Sequence, residues 1–130
     1  MLAWPSVVIE VGYPQGMDFL RLDAEWWLIN SDDKTRFVIL ITSETDPFAL
    51  HIECWMMVES ICPTPALIPR CVQDFNIDKE GRVTSTSGSS ELKVPSSCIF
   101  DEIPDLSPPP AKLSFPELSE LALRMRSDIE

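Results

Sequence analysis

The chain has 130 residues, the length of one ordinary domain. Hydrophobic residues make up 45% of it and charged residues 24%, as in a typical globular protein, which excludes wholesale disorder. The net charge of −11 arises from 21 acidic and 10 basic residues, and no three basic residues lie together. Nucleic-acid-binding proteins usually carry a basic patch, so we expect no nucleic-acid partner for this chain acting alone.

The sequence predicts neither a membrane segment nor a secretory signal. The longest aliphatic run, residues 38–41, is far shorter than the about 20 apolar residues of a membrane helix. The first residues lack the basic charge of a signal peptide. The four cysteines contain no C-x-x-C spacing and His51 is the only histidine, which argues against a structural zinc site. We therefore expect an intracellular protein, cytoplasmic or nuclear, with reduced thiols and no membrane partner.

The first part of the chain predicts a βαβ unit. Residues 6–11 form a β-branched run that is typical of a strand buried on both faces. Residues 17–29 carry apolar side chains in two stripes at helical spacing, which predicts a helix buried over much of its circumference. The inner stripe is Met17, Leu20, Ala24 and Trp27, and the outer stripe is Phe19, Leu22, Trp26 and Ile29. Residues 36–42 predict a second strand, parallel to the first and joined to it by the crossover helix.

Further strands are predicted after this unit. Residues 50–58 alternate between two faces, and one face carries His51, Glu53, Trp55 and Met57. Residues 59–70 contain several prolines and predict an irregular connection. Residues 71–84 predict a hairpin with its turn at 78–81, and residues 92–94 predict a last short strand.

The C-terminal part predicts a linker and a helix. Residues 101–113 are rich in proline and include Pro108–Pro110, a semi-rigid extended spacer. A capping box at residues 114–117 begins a helix over residues 115–127, which we expect to pack on the sheet.

Together these elements predict an α/β fold with a mixed sheet, one βαβ crossover helix and a C-terminal docking helix. The predicted division is an α/β domain over residues 1–100, a linker over 101–113 and the terminal helix over 114–130.

Few side chains suggest catalysis. With one histidine and four glycines, the sequence contains neither a nucleophilic triad motif nor a phosphate-binding loop. His51 and Glu53, on one strand face, are a candidate acid–base pair, although a histidine at such a position is more often an ordinary surface residue. Trp26 and Trp27 are more often core residues than ligand-stacking ones.

Glu10 is unusual because it is a carboxylate inside an otherwise apolar strand. Burial of an unpaired carboxylate is costly, so Glu10 requires a partner, a raised pKa, a metal ion or an exposed sheet edge. The C-terminal end of a parallel strand is also the usual location of a ligand crevice.

Most of the chain resembles a set of uncharacterised fungal proteins. The similar stretches are residues 5–13, the pattern Leu20-x-x-Asp23-Ala24-x-x-Trp27-Leu28, residues 38–41, Leu92-x-Val94-Pro95 followed by Ile99-Phe100, and the helix with Leu118, Leu121 and Ala122. Those proteins are similar to the restriction endonuclease group of the PD-(D/E)XK superfamily of nucleases.

The resemblance implies a partial restriction-endonuclease-like core and metal-assisted phosphodiester hydrolysis. In that superfamily an Asp and a Glu on neighbouring strands bind Mg²⁺ together with the backbone carbonyl after the Glu, and a nearby Lys activates water. Carried over to this chain, Glu10 is the motif Glu and Val11 supplies the carbonyl. Gly12 stands at the Lys position, which leaves Arg21 as the basic candidate, although arginine is too basic to act as a general base. No acidic residue precedes Glu10, so the resemblance implies a core truncated at its N-terminus.

Three functional hypotheses follow from the sequence. The first is a catalytically inactive or truncated relative of a metal-dependent nuclease, with Mg²⁺ bound only if a site survives at Glu10 and Val11. The second is a non-enzymatic protein-interaction module that binds through a sheet edge, the Pro108–Pro110 spacer or the C-terminal helix. The third is a fragment of an active nuclease that lacks its N-terminal part.

Overall fold

The computed structural model describes residues 4–45, 47–61, 63–99 and 111–129. Its elements in chain order are β1 (Val7–Gly12), α1 (Met17–Asn30), β2 (Phe37–Thr45), β3 (Phe48–Ser60), β4 (Ala66–Ile77), β5 (Val83–Thr84), β6 (Glu91–Val94), α2 (Ser96–Ile99), β7 (Ala111–Ser114) and α3 (Phe115–Ile129). Residues 101–110 of the predicted linker, including the Pro108–Pro110 spacer, lie outside the described residues.

The predicted α/β class and mixed sheet are confirmed. Five strands form one sheet in the order β1-β2-β3-β4-β5. β1 and β2 are parallel and are connected through α1, whereas β2–β3, β3–β4 and β4–β5 are antiparallel. β6 and β7 form a separate antiparallel pair. β7 also shows that the segment predicted as linker ends in a strand.

Apolar side chains pack on both faces of the five-stranded sheet. α1 packs on one face, where its buried residues meet Val8, Val38 and Leu40. The other face carries the larger cluster, in which Leu118 and Ala122 of α3 and Leu92 of β6 pack against β2, β3 and β4. The C-terminal helix therefore uses its main apolar positions within the chain.

Side-chain hydrogen bonds at the C-terminal end of α1 fix the helix in place. The helix follows a short 3₁₀ turn at Pro14–Gly16 and ends at Ser31, whose hydroxyl accepts a hydrogen bond of 2.9 Å from the Thr35 backbone N–H. The Thr35 hydroxyl donates to the carbonyl of Pro5, at 2.7 Å. These bonds connect the end of α1 to the segments that precede β1 and β2.

The prediction that α1 is buried over much of its circumference is wrong. Met17 and Ala24 of the inner stripe are buried, together with Leu28, and Leu20 and Trp27 are partly buried. All four side chains of the outer stripe are more than half exposed. Among the described residues, α1 packs against one layer, the sheet, and additionally contacts Trp4 through Trp26 and Trp27, so a helix with two apolar stripes buries only one of them.

The prediction that residues 6–11 are buried on both faces is also wrong. Val8 is buried, but the side chains of Ile9 and Val11 are 59% and 60% exposed on the face opposite α1. β1 is an edge strand because β3, β4 and β5 all add to the far side of β2. The later strands therefore do not cover the free edge of β1.

The proline-broken connection predicted for residues 59–70 is shorter than expected. β4 begins at Ala66, and Pro69 lies within it opposite Met57 of β3. β5 pairs only with Asn76 and Ile77, at the C-terminal end of β4. The N-terminal part of β4, which contains Pro69, therefore has β3 as its one neighbour among the strands described. A proline is tolerated there because an edge strand has backbone positions that need no hydrogen-bond donor.

The capping box predicted at the start of α3 is confirmed. The Ser114 hydroxyl donates to Glu117 Oε1 at 2.9 Å, and the Glu117 backbone N–H donates to the same hydroxyl at 3.4 Å.

Among the described residues, no helix combines the length and apolar character required to cross a membrane.

The two faces of α1 predict opposite responses to the same substitution. Leu28→Ala removes a side chain that is 2% exposed and is expected to lower the free energy of unfolding by about 2–5 kcal/mol. Leu22→Ala, at an exposed position of the same helix, is expected to change it by no more than about 0.5 kcal/mol. Urea unfolding followed by tryptophan fluorescence measures both. Equal losses for the two variants would show that the outer stripe belongs to the core.

Candidate functional site

Glu10 lies on the face of β1 that carries α1, close to Asp23 and Trp27 of the helix. Its Oε2 atom is buried and accepts no hydrogen bond. Burial raises the pKa of Glu10, the negative charge of Asp23 raises it further, and the hydrogen bond donated by Trp27 opposes the shift. Glu10 therefore combines a raised pKa with two hydrogen-bonding partners, Trp27 and Asp23, and with a place on an edge strand.

The implied nuclease residues do not all lie together. Val11, whose backbone carbonyl is the implied ligand, follows Glu10 in β1 and is paired with Ile41 of β2. Arg21, the basic candidate, is paired with Glu53 instead of Glu10. Among the described residues, no group of three or more histidine, cysteine or acidic side chains is arranged to hold a metal ion.

Glu53 is the centre of a polar cluster, which we call the Glu53 clamp, between β3 and α1. The residue is 4% exposed. Its Oε1 accepts hydrogen bonds from Arg21 Nε at 3.1 Å and Trp55 Nε1 at 2.9 Å. Its Oε2 lies 2.5 Å from Arg21 Nη2 and 2.8 Å from His51 Nε2. Four donors therefore occupy the four lone pairs of the carboxylate.

The clamp strongly shifts the pKa of its members. Burial alone would raise the pKa of Glu53, but the hydrogen bonds from His51, Arg21 and Trp55 outweigh it and lower the pKa to about 2. The hydrogen bond to Glu53 raises the pKa of His51, against the effect of burial, and Asn76 adds to the increase. His51 Nδ1 lies 2.8 Å from Asn76 Oδ1, so a protonated ring can donate from both nitrogens.

This geometry argues against His51 and Glu53 as a catalytic acid–base pair. Both ring nitrogens are engaged, and each carboxylate oxygen already has two donors. A general base needs a free lone pair within reach of a substrate proton. The arrangement instead joins Arg21 of α1 to β3, which holds the helix on the sheet.

Two open depressions border the clamp. One, of 340 Å³, lies beside His51 and Asn76. The other, of 420 Å³, is lined by Arg21, Glu53 and Cys71 among others. Burial raises the pKa of Cys71 to about 11, so its thiol stays protonated at neutral pH. Neither depression presents an activated nucleophile.

The core role predicted for Trp26 and Trp27 holds only in part. Trp27 is partly buried, but Trp26 is 52% exposed. The ring centre of Trp4 lies 5.5 Å from that of Trp26 and 5.6 Å from that of Trp27. The rings of Trp26 and Trp27 lie 5.4 Å from each other. The three indoles form an aromatic cluster between β1 and the outer stripe.

Sequence patterns could locate part of the clamp only. The alternation of residues 50–58 placed His51, Glu53 and Trp55 on one face, as the structure has them. Arg21 lies 32 residues from Glu53 in sequence, and no local signal connects the two. Arg21 shares the inner face of α1 with Met17 and Ala24, at helical spacings of four and three, and this spacing is the one available clue.

Comparison of the chain with protein-family models, with curated proteins and with solved structures finds no match.

The clamp predicts a specific pH dependence of stability. The pKa of Glu53 is lower in the folded chain than the usual 4.5, so its contribution is complete above that pH and is lost as the pH falls towards about 2. The pKa of His51 is higher than the usual 6.5, so its contribution is complete below pH 6.5 and is lost as the pH rises through the folded value. Because the chain has one histidine, proton NMR of its ring gives this pKa directly.

Glu53→Gln provides the test of this assignment. We expect the variant to bring the pKa of His51 back towards 6.5, because the charged acceptor at Nε2 is removed. Glu59→Gln, on an exposed position of the same strand, is the matched control and should leave the His51 titration unchanged. An unshifted His51 pKa in Glu53→Gln would contradict the clamp.

Proposed function

We propose that this chain is a non-enzymatic protein-interaction module that binds its partner through the outer stripe of α1. The observation that carries the proposal is the exposure of this stripe, because Phe19 and Leu22 are 73% and 60% exposed and Trp26 and Ile29 are also more than half exposed. The sequence instead predicts a sheet edge, the Pro108–Pro110 spacer or the C-terminal helix as the binding surface.

The size of the exposed surface supports this choice. An aromatic side chain has a surface of about 150–250 Å², so Phe19 and Trp26 alone expose roughly 200–300 Å². Leu22 and Ile29 extend this surface along the same helix face. Isolated apolar side chains are common on protein surfaces, whereas a contiguous patch of a few hundred Å² is as large as the largest patch of a typical monomer, and such patches are often functional.

The other surfaces considered have weaker support. Leu118 and Ala122 of α3 are fully buried in the main core, so the apolar face of this helix already packs within the chain. The edge of β1 exposes Ile9 and Val11 and can accept a further strand. This edge offers two apolar side chains, and the outer stripe offers four.

Paired variants test the proposal. We expect selection from a displayed peptide library to enrich peptides that bind the unmodified chain and fail to bind Phe19→Ser/Trp26→Ser. The control, Leu121→Ser/Leu123→Ser, removes two other exposed apolar side chains, on α3, and should keep the binding. Fluorescence anisotropy measures the dissociation constants, and urea unfolding verifies that all variants fold. Enriched peptides that bind the stripe variant equally well, or the absence of enrichment, would contradict the proposal.

A second candidate function is the inactive, restriction-endonuclease-like relative of metal-dependent nucleases. One observation favours it, because the partly buried Glu10 lies beside Asp23 and leaves Oε2 without a hydrogen bond. Two carboxylates are few for Mg²⁺, which prefers octahedral oxygen coordination. A complete site would need further ligands from water, substrate or a segment outside this chain.

The second candidate predicts that Mg²⁺ or Mn²⁺ binds and that Glu10→Gln abolishes the binding, as measured by titration calorimetry. Glu59→Gln is the control and should bind the metal normally. Glu10→Gln should also raise the free energy of unfolding at neutral pH, because the folded chain raises the pKa of Glu10 and so disfavours its charged form. Equal heats of metal binding, or no heat, in the unmodified chain and the variant would exclude this candidate.

A further inference from the structure

We infer that the partner segment is an amphipathic helix whose apolar face is flanked by lysine or arginine; this inference rests on the proposed function of the outer stripe. The stripe follows one helix face at intervals of three, four and three residues, from Phe19 to Ile29. At a rise of 1.5 Å per residue it is about 15 Å long. A partner helix of about three turns matches that length.

The chemistry of the stripe favours a helical partner over an extended one. The backbone of α1 is hydrogen-bonded within the helix, so its outer face offers apolar side chains and no free backbone donors or acceptors. An extended segment lying there would lose hydrogen bonds from its own backbone to water without replacement. A helix brings a backbone that is already satisfied and can pack its ridges between those of α1.

The charges around the stripe favour a cationic partner. Helical geometry places Asp18 and Glu25, seven residues apart, on one flank and Asp23 on the other. The side chain of Asp18 is 93% exposed, and Asp23 is also exposed. The single basic residue of α1, Arg21, lies on the inner face, where Glu53 holds it, and its Nη1 also lies 3.5 Å from Asp18 Oδ1; Asp23 and Glu25 have no such contact with it.

The same charges disfavour a second copy of this chain as the occupant. Two outer stripes facing each other would place these acidic flanks together, and each chain carries a net charge of −11. Like charges placed together across an interface suppress association. The acidic flanks also repel an anionic lipid surface, whereas basic residues beside the partner's apolar face would pair with them.

Three synthetic 14-residue helical peptides with one identical Leu/Trp face, and with lysine, glutamine or glutamate at the flanking positions, test the inference. We expect the lysine peptide to bind the full chain about tenfold more tightly than the glutamine peptide, and the glutamate peptide to bind most weakly. Tenfold corresponds to about 1.4 kcal/mol, which a few exposed ion pairs can supply. Raising the salt concentration should reduce the difference.

Two variants of equal net charge locate the effect. Asp18→Asn/Asp23→Asn/Glu25→Gln removes the acidic flanks and should abolish the preference for lysine while leaving the glutamine peptide's affinity unchanged. Glu44→Gln/Glu59→Gln/Glu120→Gln removes three exposed acids from other elements and should keep the preference. Equal loss in both variants would mean that the total charge acts and would overturn the inference.

The remaining outcomes separate this inference from the proposed function. If the three peptides bind equally and Phe19→Ser/Trp26→Ser abolishes their binding, the cationic partner is wrong and the interaction surface stands. If no peptide binds through the stripe, the inference fails, and the library selection decides the proposed function. A stripe-dependent dimer in sedimentation equilibrium, or stripe-dependent binding to phosphatidylserine vesicles, would replace the helical partner with a second copy or a membrane.

Discussion

The bidentate contact between Arg21 and Glu53 favours the rotation of α1 that the structure shows. Both stripes of the helix are apolar, so burial of hydrophobic surface alone distinguishes poorly between the two rotations of the helix. Arg21 lies on the face of Met17 and Ala24, and the observed rotation brings it to the buried carboxylate. Loss of the arginine would leave the buried Glu53 carboxylate with fewer donors, which costs free energy, although solvent screening reduces this cost because the Arg21 side chain is 42% exposed. The clamp therefore favours the rotation that leaves the outer stripe in solvent.

The elements that could be predicted from sequence are those that depend on residues close together along the chain. Local patterns were sufficient for the parallel β1–β2 pair, for α1 and for the capping box of α3, because each depends on residues close in sequence. Periodicity could not indicate which stripe of α1 is buried, since this depends on a contact 32 residues away. The prolines of residues 59–70 led to the prediction of an irregular connection where β4 begins. A proline disrupts a strand only where its missing N–H would have paired with a neighbouring strand, and the sequence does not show how many neighbours β4 has.

The candidate site was less accessible to sequence reasoning than the fold. Glu10 was recognisable as an isolated carboxylate in an apolar strand, and the structure gives it a raised pKa. Its neighbours Asp23 and Trp27 are four residues apart on α1, and their positions beside β1 follow from the same rotation of the helix. The resemblance, which spans most of the chain, left Arg21 as the basic candidate beside Glu10. The sheet contains a second, better-satisfied carboxylate at Glu53, which binds this arginine instead.

Asp23 of α1 lies between Glu10 of β1 and the outer stripe of the helix. It faces Glu10 from the edge of the helix and also flanks the outer stripe, next to the aromatic cluster of Trp4, Trp26 and Trp27. A positive charge placed beside Asp23 would offset its repulsion of Glu10 and lower the raised pKa of that carboxylate. The electrostatic strain at Glu10 would thus decrease when a cationic helix binds. An acidic pair that is unfavourable in the free chain would in this way contribute to selecting a basic partner.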